Sequence, residues 1–98
     1  MTRRIEWTRE AYSDFDRIES FYAEFAPDYA IQIAAKAFAS TRHLGLHPYI
    51  GAIFDQEAGI RKWQVKRSPF LMFYRVLPDT VQILRIRHMS EDWKQRAE

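Results

Sequence analysis

The sequence contains no cysteine. Disulfides, thiolate zinc sites, iron–sulfur clusters and thiol nucleophiles are therefore excluded. Glycine is scarce. Gly45, Gly51 and Gly59 stand apart, so none belongs to a loop that could cradle a phosphate. The serines sit in no Gly-x-Ser-x-Gly turn, which leaves a nucleophilic triad without support. No repeat, low-complexity tract or linker interrupts the chain, and no apolar run approaches the roughly 20 residues of a membrane span. Met1-Thr2-Arg3-Arg4 passes into Ile5-Glu6-Trp7 and then charges, without the apolar stretch of a signal peptide, so a cytoplasmic protein is expected. With 98 residues, one domain spanning 1–98 with a single core is expected.

Aromatic residues are plentiful at 15%, which points to a core built from large rings. The net charge of +2 hides an asymmetry. Residues 1–60 carry six Lys/Arg against nine Asp/Glu, and residues 61–98 carry nine against four. The basic excess lies wholly in the second part and points to an acidic or polyanionic partner there.

Residues 3–8 alternate like a short strand, and Thr8 is placed to cap a helix. Ala11, Phe15, Ile18, Tyr22 and Phe25 form one helical face, with Asp14, Asp16, Glu19 and Glu24 mostly off it. After Pro27, Asp28 can cap a second helix whose buried stripe runs through Ala30, Ile33, Ala34, Ala37, Phe38, Thr41 and Leu44. Gly45 reads as its C-cap. The short joint makes the two helices an antiparallel hairpin. Residues 46–59 read as irregular. Strands follow at 61–67, at 70–77, which is apolar on both faces and hence central, and at 81–88. Ser90 can cap a short tail over 91–97 in which Met89, Trp93 and the Glu91–Lys94 pair make an amphipathic cap. The predicted order is β-α-α-β-β-β with an optional final helix. This is an α+β fold: a small antiparallel sheet with the helical hairpin on one face and the other face left open.

Chemistry-bearing residues concentrate on the strands. His43 and His47 share a helical spacing, but no carboxylate completes a metal site, and neither metal nor cofactor is expected. The basic set is Arg61, Lys62, Lys66, Arg67, Arg75, Arg85, Arg87 and His88. Strand parity makes Arg85 and Arg87 point together and His88 oppositely, alongside Leu84 and Ile86. Which parity faces the helices stays open. Individually these charges fit the solvated side of a sheet. As a set they fit an anionic ligand or an acidic peptide. Metal-free RNA cleavage needs phosphorane stabilisation, which Arg or Lys can supply, and proton transfer, for which His88 is the candidate acid or base. Tyr74 or Trp93 could stack a base. Glu57 and Glu91 are poorly placed as the second proton-transfer group.

The ordered set Ile5-Glu6-Trp7-Thr8, Ala11 with Asp14-Phe15-x-x-Ile18, Leu44 with Pro48-Tyr49-x-Gly51, Arg61 to Val65, Phe70-Leu71-Met72-Phe73-Tyr74-Arg75-Val76, Val81-x-Ile83-Leu84-Arg85-Ile86-x-His88 and Asp92-Trp93 resembles the RelE/ParE superfamily of type II toxins, closer to the ParE branch. The resemblance covers nearly the whole chain. It implies a growth-arresting, plasmid-stabilising toxin neutralised by a cognate antitoxin in a hetero-oligomer. ParE-like members poison DNA gyrase without covalent chemistry of their own. RelE-like members are metal-independent endoribonucleases that cut mRNA on the ribosome. In the latter case Arg61, Arg67 and His88 fall near the catalytic positions. The chain has Trp93 and no tyrosine in the tail, and Glu91 where the ParE pattern often has a basic residue. Trp63, Phe54, Arg75, Arg85, Arg87 and Trp93 are the candidate antitoxin or target contacts, with Phe73 a further anchor that core packing also explains. Simple nucleic-acid binding is the remaining reading.

Overall fold

The structure, a computed structural model, describes residues 2–90. Trp93, Glu91 and the predicted tail over 91–97 lie outside the described residues. The elements are β1 (Arg4–Trp7), α1 (Arg9–Phe25), α2 (Pro27–Leu46), β2 (Ala52–Asp55), β3 (Ile60–Gln64), β4 (Phe70–Val76) and β5 (Thr80–His88). They form a five-stranded sheet in the order β1-β5-β4-β3-β2. β1 runs parallel to β5, and the other pairs are antiparallel.

The α1–α2 hairpin packs on one face. Ala11, Ile33, Ala37 and Leu44 from the helices meet Met72, Tyr74, Val81, Ile83 and Ile86 from β4 and β5 in a single core. The small residues at 11 and 37 let the helix backbones lie close to the sheet. Trp7, Phe15 and Phe38 bring β1, α1 and α2 together through ring contacts at centroid distances of 5.6–6.2 Å. Thr8 caps α1 as expected, its Oγ1 accepting from the Ala11 N–H at 3.1 Å.

Four expectations need correction. α2 does not end at Gly45 but continues to Leu46, with His47 as its C-cap. Gly45 is there for space: a Cβ would lie 2.9 Å from the Arg3 carbonyl oxygen, and the Arg3 N–H donates to the Gly45 carbonyl at 2.9 Å. Asp28 is not the cap of α2; Pro27 already occupies its first turn, behind Ala26. The segment 46–59 holds a strand, β2, so the meander has four strands. Its short run was hidden by flanking glycines and a register shift between Ile53 and Asp55, and it exists only through pairing with β3. Finally, Phe25 and Phe38 are exposed, although both lie in the predicted stripes and Phe38 keeps its ring contacts.

The segment between α2 and β2 is locked by one buried phenol. Tyr74 is fully buried; its hydroxyl donates to the Pro48 carbonyl at 2.8 Å and accepts from the Gly51 N–H at 2.9 Å. Burial pushes the Tyr74 phenol pKa up, against the Gly51 hydrogen bond and the nearby charge of Arg61. The backbone approaches so closely that a Cβ on residue 51 would lie 2.5 Å from the Tyr74 oxygen. Gly51→Ala therefore has to move the loop or the ring, at an expected cost of about 1–3 kcal/mol. Tyr74→Phe orphans a buried donor and acceptor, at about 1–3 kcal/mol. Both changes break one contact, so the double variant should cost less than the sum in urea unfolding; strict additivity would refute the shared lock.

Candidate functional site

Register distributes the basic residues over the two sheet faces. Arg61 pairs with Tyr74 and Trp63 with Met72, so both share the parity of the core. Lys62 pairs with Phe73, which pairs with Arg85; Leu71 pairs with Arg87. Lys62, Phe73 and Arg85 thus form one row on the opposite parity, with Arg75 two residues along. A bulge in β5 complicates the alternation. Phe73 faces Arg85 but Tyr74 faces Ile83, so Leu84 is the extra residue. Ile83 and Ile86 therefore both reach the core although their parities differ. Leu84 does not simply follow Ile86 and His88, as strict alternation predicts.

Beyond the bulge, no strand among the described residues pairs with the outer edge of β5, because β1 pairs only with Thr80 to Ile83. α1 supplies the missing partners. Thr8 donates from its N–H to the Ile83 carbonyl at 3.0 Å and from Oγ1 to the Leu84 carbonyl at 3.0 Å. Asp14 Oδ2 accepts the Ile86 N–H at 3.0 Å. The same carboxylate accepts Arg85 Nε at 2.8 Å and Nη2 at 3.1 Å in a bidentate clasp, and Arg17 Nη2 at 3.1 Å. Arg87 Nη1 lies 3.8 Å away. The Asp14 side chain is 1% exposed and that of Arg85 39%. Asp14 was expected mostly off the buried face of its helix, and it is instead the polar centre of the helix–sheet contact. Burial raises its pKa, but the Arg85 hydrogen bond, the Ile86 N–H and the charges of Arg85 and Arg87 outweigh burial and hold it below the ordinary carboxylate value.

The other candidates are placed as follows. Arg61 Nη1 donates to the Tyr49 and Gly51 carbonyls at 3.1 and 2.8 Å, and its guanidinium lies 5.2 Å from the Tyr49 ring centroid. Arg75 Nε donates to the Ala58 carbonyl at 3.1 Å. Phe54 packs edge-on against Phe73 at 4.9 Å. Trp63 is half-buried and lies against His43, ring centroids 5.5 Å apart. His43 and His47 are 5.0 Å apart. His88 sits edge-to-face on Phe70 at 5.3 Å, and the Ser90 N–H lies 3.0 Å from its Nδ1. Arg67 stands in the β3–β4 turn with φ 55°. Left-handed backbone costs a non-glycine residue roughly 1–2 kcal/mol. Ser68 Oγ donates to the Val65 carbonyl, and Lys36 Nζ donates to the Arg67 carbonyl, so the turn is held in place.

The fold brings Arg67 and His88 to the same end of the sheet, since His88 pairs with Phe70 and the Met89 N–H donates to the Pro69 carbonyl. Arg61 is not with them. It pairs with Tyr74, four residues from Phe70, or about 13 Å at the strand rise. Asp14 and Gly51 were legible as motif positions but not as the structural centres they are. A carboxylate four residues from Ile18 on an otherwise apolar helix face was the available signal for Asp14.

A helical hairpin on one face of a small, mostly antiparallel sheet with a basic second half defines a small α+β domain. Residues 5–93 match the family described as "ParE toxin of type II toxin-antitoxin system, parDE", and the chain belongs to that family. Among solved structures, the chromosomal ParDE toxin–antitoxin system from P. aeruginosa matches with TM-score 0.74 and 28% identity over 89% of this chain and 96% of that one. The toxin–antitoxin complex RelBE2 from Mycobacterium tuberculosis matches with TM-score 0.61 and 22% identity over 90% and 99%. A YoeB/ParE toxin from Agrobacterium tumefaciens shares the fold at TM-score 0.61 and 14% identity over 87% and 96%. Comparison with curated proteins finds no match. The protein is a type II toxin–antitoxin toxin of the ParE type.

Because Asp14 has a folded pKa below its unfolded one, its contribution to stability is fully present above the unfolded value and is lost as pH falls through the folded one. The wild type should therefore lose stability between about pH 4 and the more acid folded pKa. Asp14→Ala should cost about 3 kcal/mol at neutral pH and flatten this acid limb. Chemical unfolding at stepped pH measures both; an unchanged acid limb in the variant would remove Asp14 from that role.

Proposed function

We propose that this toxin arrests growth in the cytoplasm by binding and poisoning DNA gyrase, and that a cognate antitoxin neutralises it. The observation that carries the reading is the match to the ParE family over 5–93, joined by the likeness to the ParDE system. That the neighbours come from toxin–antitoxin systems supports the antitoxin partner. The geometry favours binding over cutting. Arg61, Arg75 and Arg85 hold loop carbonyls or Asp14, and Arg61 lies at the far end of β3 from His88. Phe54, Trp63, Arg75, Arg85, Arg87 and Trp93 remain the contacts proposed for antitoxin or target.

A second reading, ribosome-dependent mRNA cleavage, draws on His88 and Arg67 meeting at one sheet end. Induction in cells, with and without the antitoxin, separates the two. Gyrase poisoning yields protein-linked DNA breaks and intact mRNA. A nuclease yields cut mRNA, and His88→Ala then lowers cutting by about 100-fold or more if His88 transfers the proton. Cut transcripts without DNA breaks would overturn the gyrase reading.

A further inference from the structure

Between α2 and the turn joining β3 to β4 lies a groove of about 890 Å³. Lys36, Ser40, His43, Trp63, Lys66 and Arg67 line it. Its volume is that of a small-molecule site. Its chemistry is one-sided: three cations border it and no carboxylate among the described residues lines it. None of these three cations takes part in the ion pairs of the described residues. Elsewhere, four arginines pair with Asp14 or Asp79. Among the described residues, the groove is where cationic charge is gathered without a carboxylate partner.

Two further observations make it more than a charged surface. One wall is aromatic, formed by the half-buried rings of His43 and Trp63 at 5.5 Å and 31° to one another. Arg67 occupies left-handed backbone, a conformation that glycine or asparagine would adopt at lower cost. The Lys36 ammonium fixes that turn through the Arg67 carbonyl at 3.0 Å, which ties two of the three cations to one rim.

We propose that this groove binds a nucleoside polyphosphate, its base against the His43–Trp63 wall and its phosphates among Lys36, Lys66 and Arg67. Three neighbouring cations suit a ligand with several negative charges. The planar fork of Arg67 suits phosphate oxygens. An aromatic wall beside cations is the combination that holds a base and its phosphate together. An acidic peptide satisfies the cations and leaves the wall without a planar partner. The site requires neither gyrase nor mRNA, so it stands or falls apart from the proposed function.

The test is nuclear magnetic resonance on the purified full-length chain at physiological salt. The indole N–H of Trp63 is assigned through Trp63→Phe. ATP and GTP are titrated, with tripolyphosphate and adenosine as the separate halves of the ligand. A nucleotide should shift the Trp63 indole and saturate below millimolar concentration, and each half should bind at least ten-fold more weakly. Lys66 and Arg67 are exposed, so Lys66→Glu with Arg67→Glu should keep the fold, checked by circular dichroism, and weaken nucleotide binding at least ten-fold. No Trp63 shift at millimolar nucleotide would overturn the proposal, as would tripolyphosphate binding as well as ATP. So would single-stranded DNA or poly-glutamate binding more tightly than either nucleotide.

Discussion

The buried carboxylate of Asp14 is the interaction on which the rest of the molecule depends. β5 is the strand that joins the parallel and antiparallel parts of the sheet, and its outer edge loses its strand partner after Ile83. An unpaired edge is both an energetic cost and a template for wrong pairing. Thr8 and Asp14 close it from the helix side, so α1 does the work of a sixth strand at two points. One negative charge then has three arginines within 4 Å, at 17, 85 and 87. The removal of that charge would leave a buried N–H and a cluster of like charges together.

The β3–β4 part of the sheet is fastened to the turn after α2 by a second device of the same logic. Tyr74 reaches from the central strand into the turn after α2, and Arg61 binds two carbonyls of the same turn from β3. The resemblance motif Pro48-Tyr49-x-Gly51 thereby acquires a physical meaning. Pro48 presents a carbonyl, Gly51 presents an N–H without a Cβ, and Tyr49 offers its ring to the guanidiniums of Arg3 and Arg61. Much of the basic charge that marks the second half of the chain is therefore internal equipment. It fastens strands to loops and to α1.

This division of labour bears on how such a toxin acts. A metal-free nuclease gathers its acid, its base and its phosphorane-stabilising cation around one phosphate. Here Arg61, Arg75 and Arg85 are spread along the strands and bound to loop carbonyls or Asp14, and the histidine at the end of β5 has Arg67 and not Arg61 at its end of the sheet. A binding protein has no such requirement, and a rigid scaffold with separate charged and apolar surfaces serves it well. The groove beside Trp63 is the place where charge, an aromatic wall and a strained turn coincide.

Periodicity and capping alone determined a great deal. The two helices, the Thr8 cap, four of the five strands, the hairpin and the resemblance to ParE-type toxins were legible because each is written in neighbouring residues. What tertiary structure decided is of another kind. β2 forms only because β3 lies beside it, and Gly45 is demanded by the passing chain at Arg3 and not by a helix end. The β5 bulge sets which side chains reach the core past Leu84, a shift that strict alternation cannot show. Asp14 looks like a solvated helical acid until β5 is brought against it, 71 residues along the chain from Asp14 to Arg85. Local sequence carries the preferences of a residue for its own backbone. The partner of a buried charge and the space left for a side chain are properties of contacts between distant segments, and they exist only once the chain has folded.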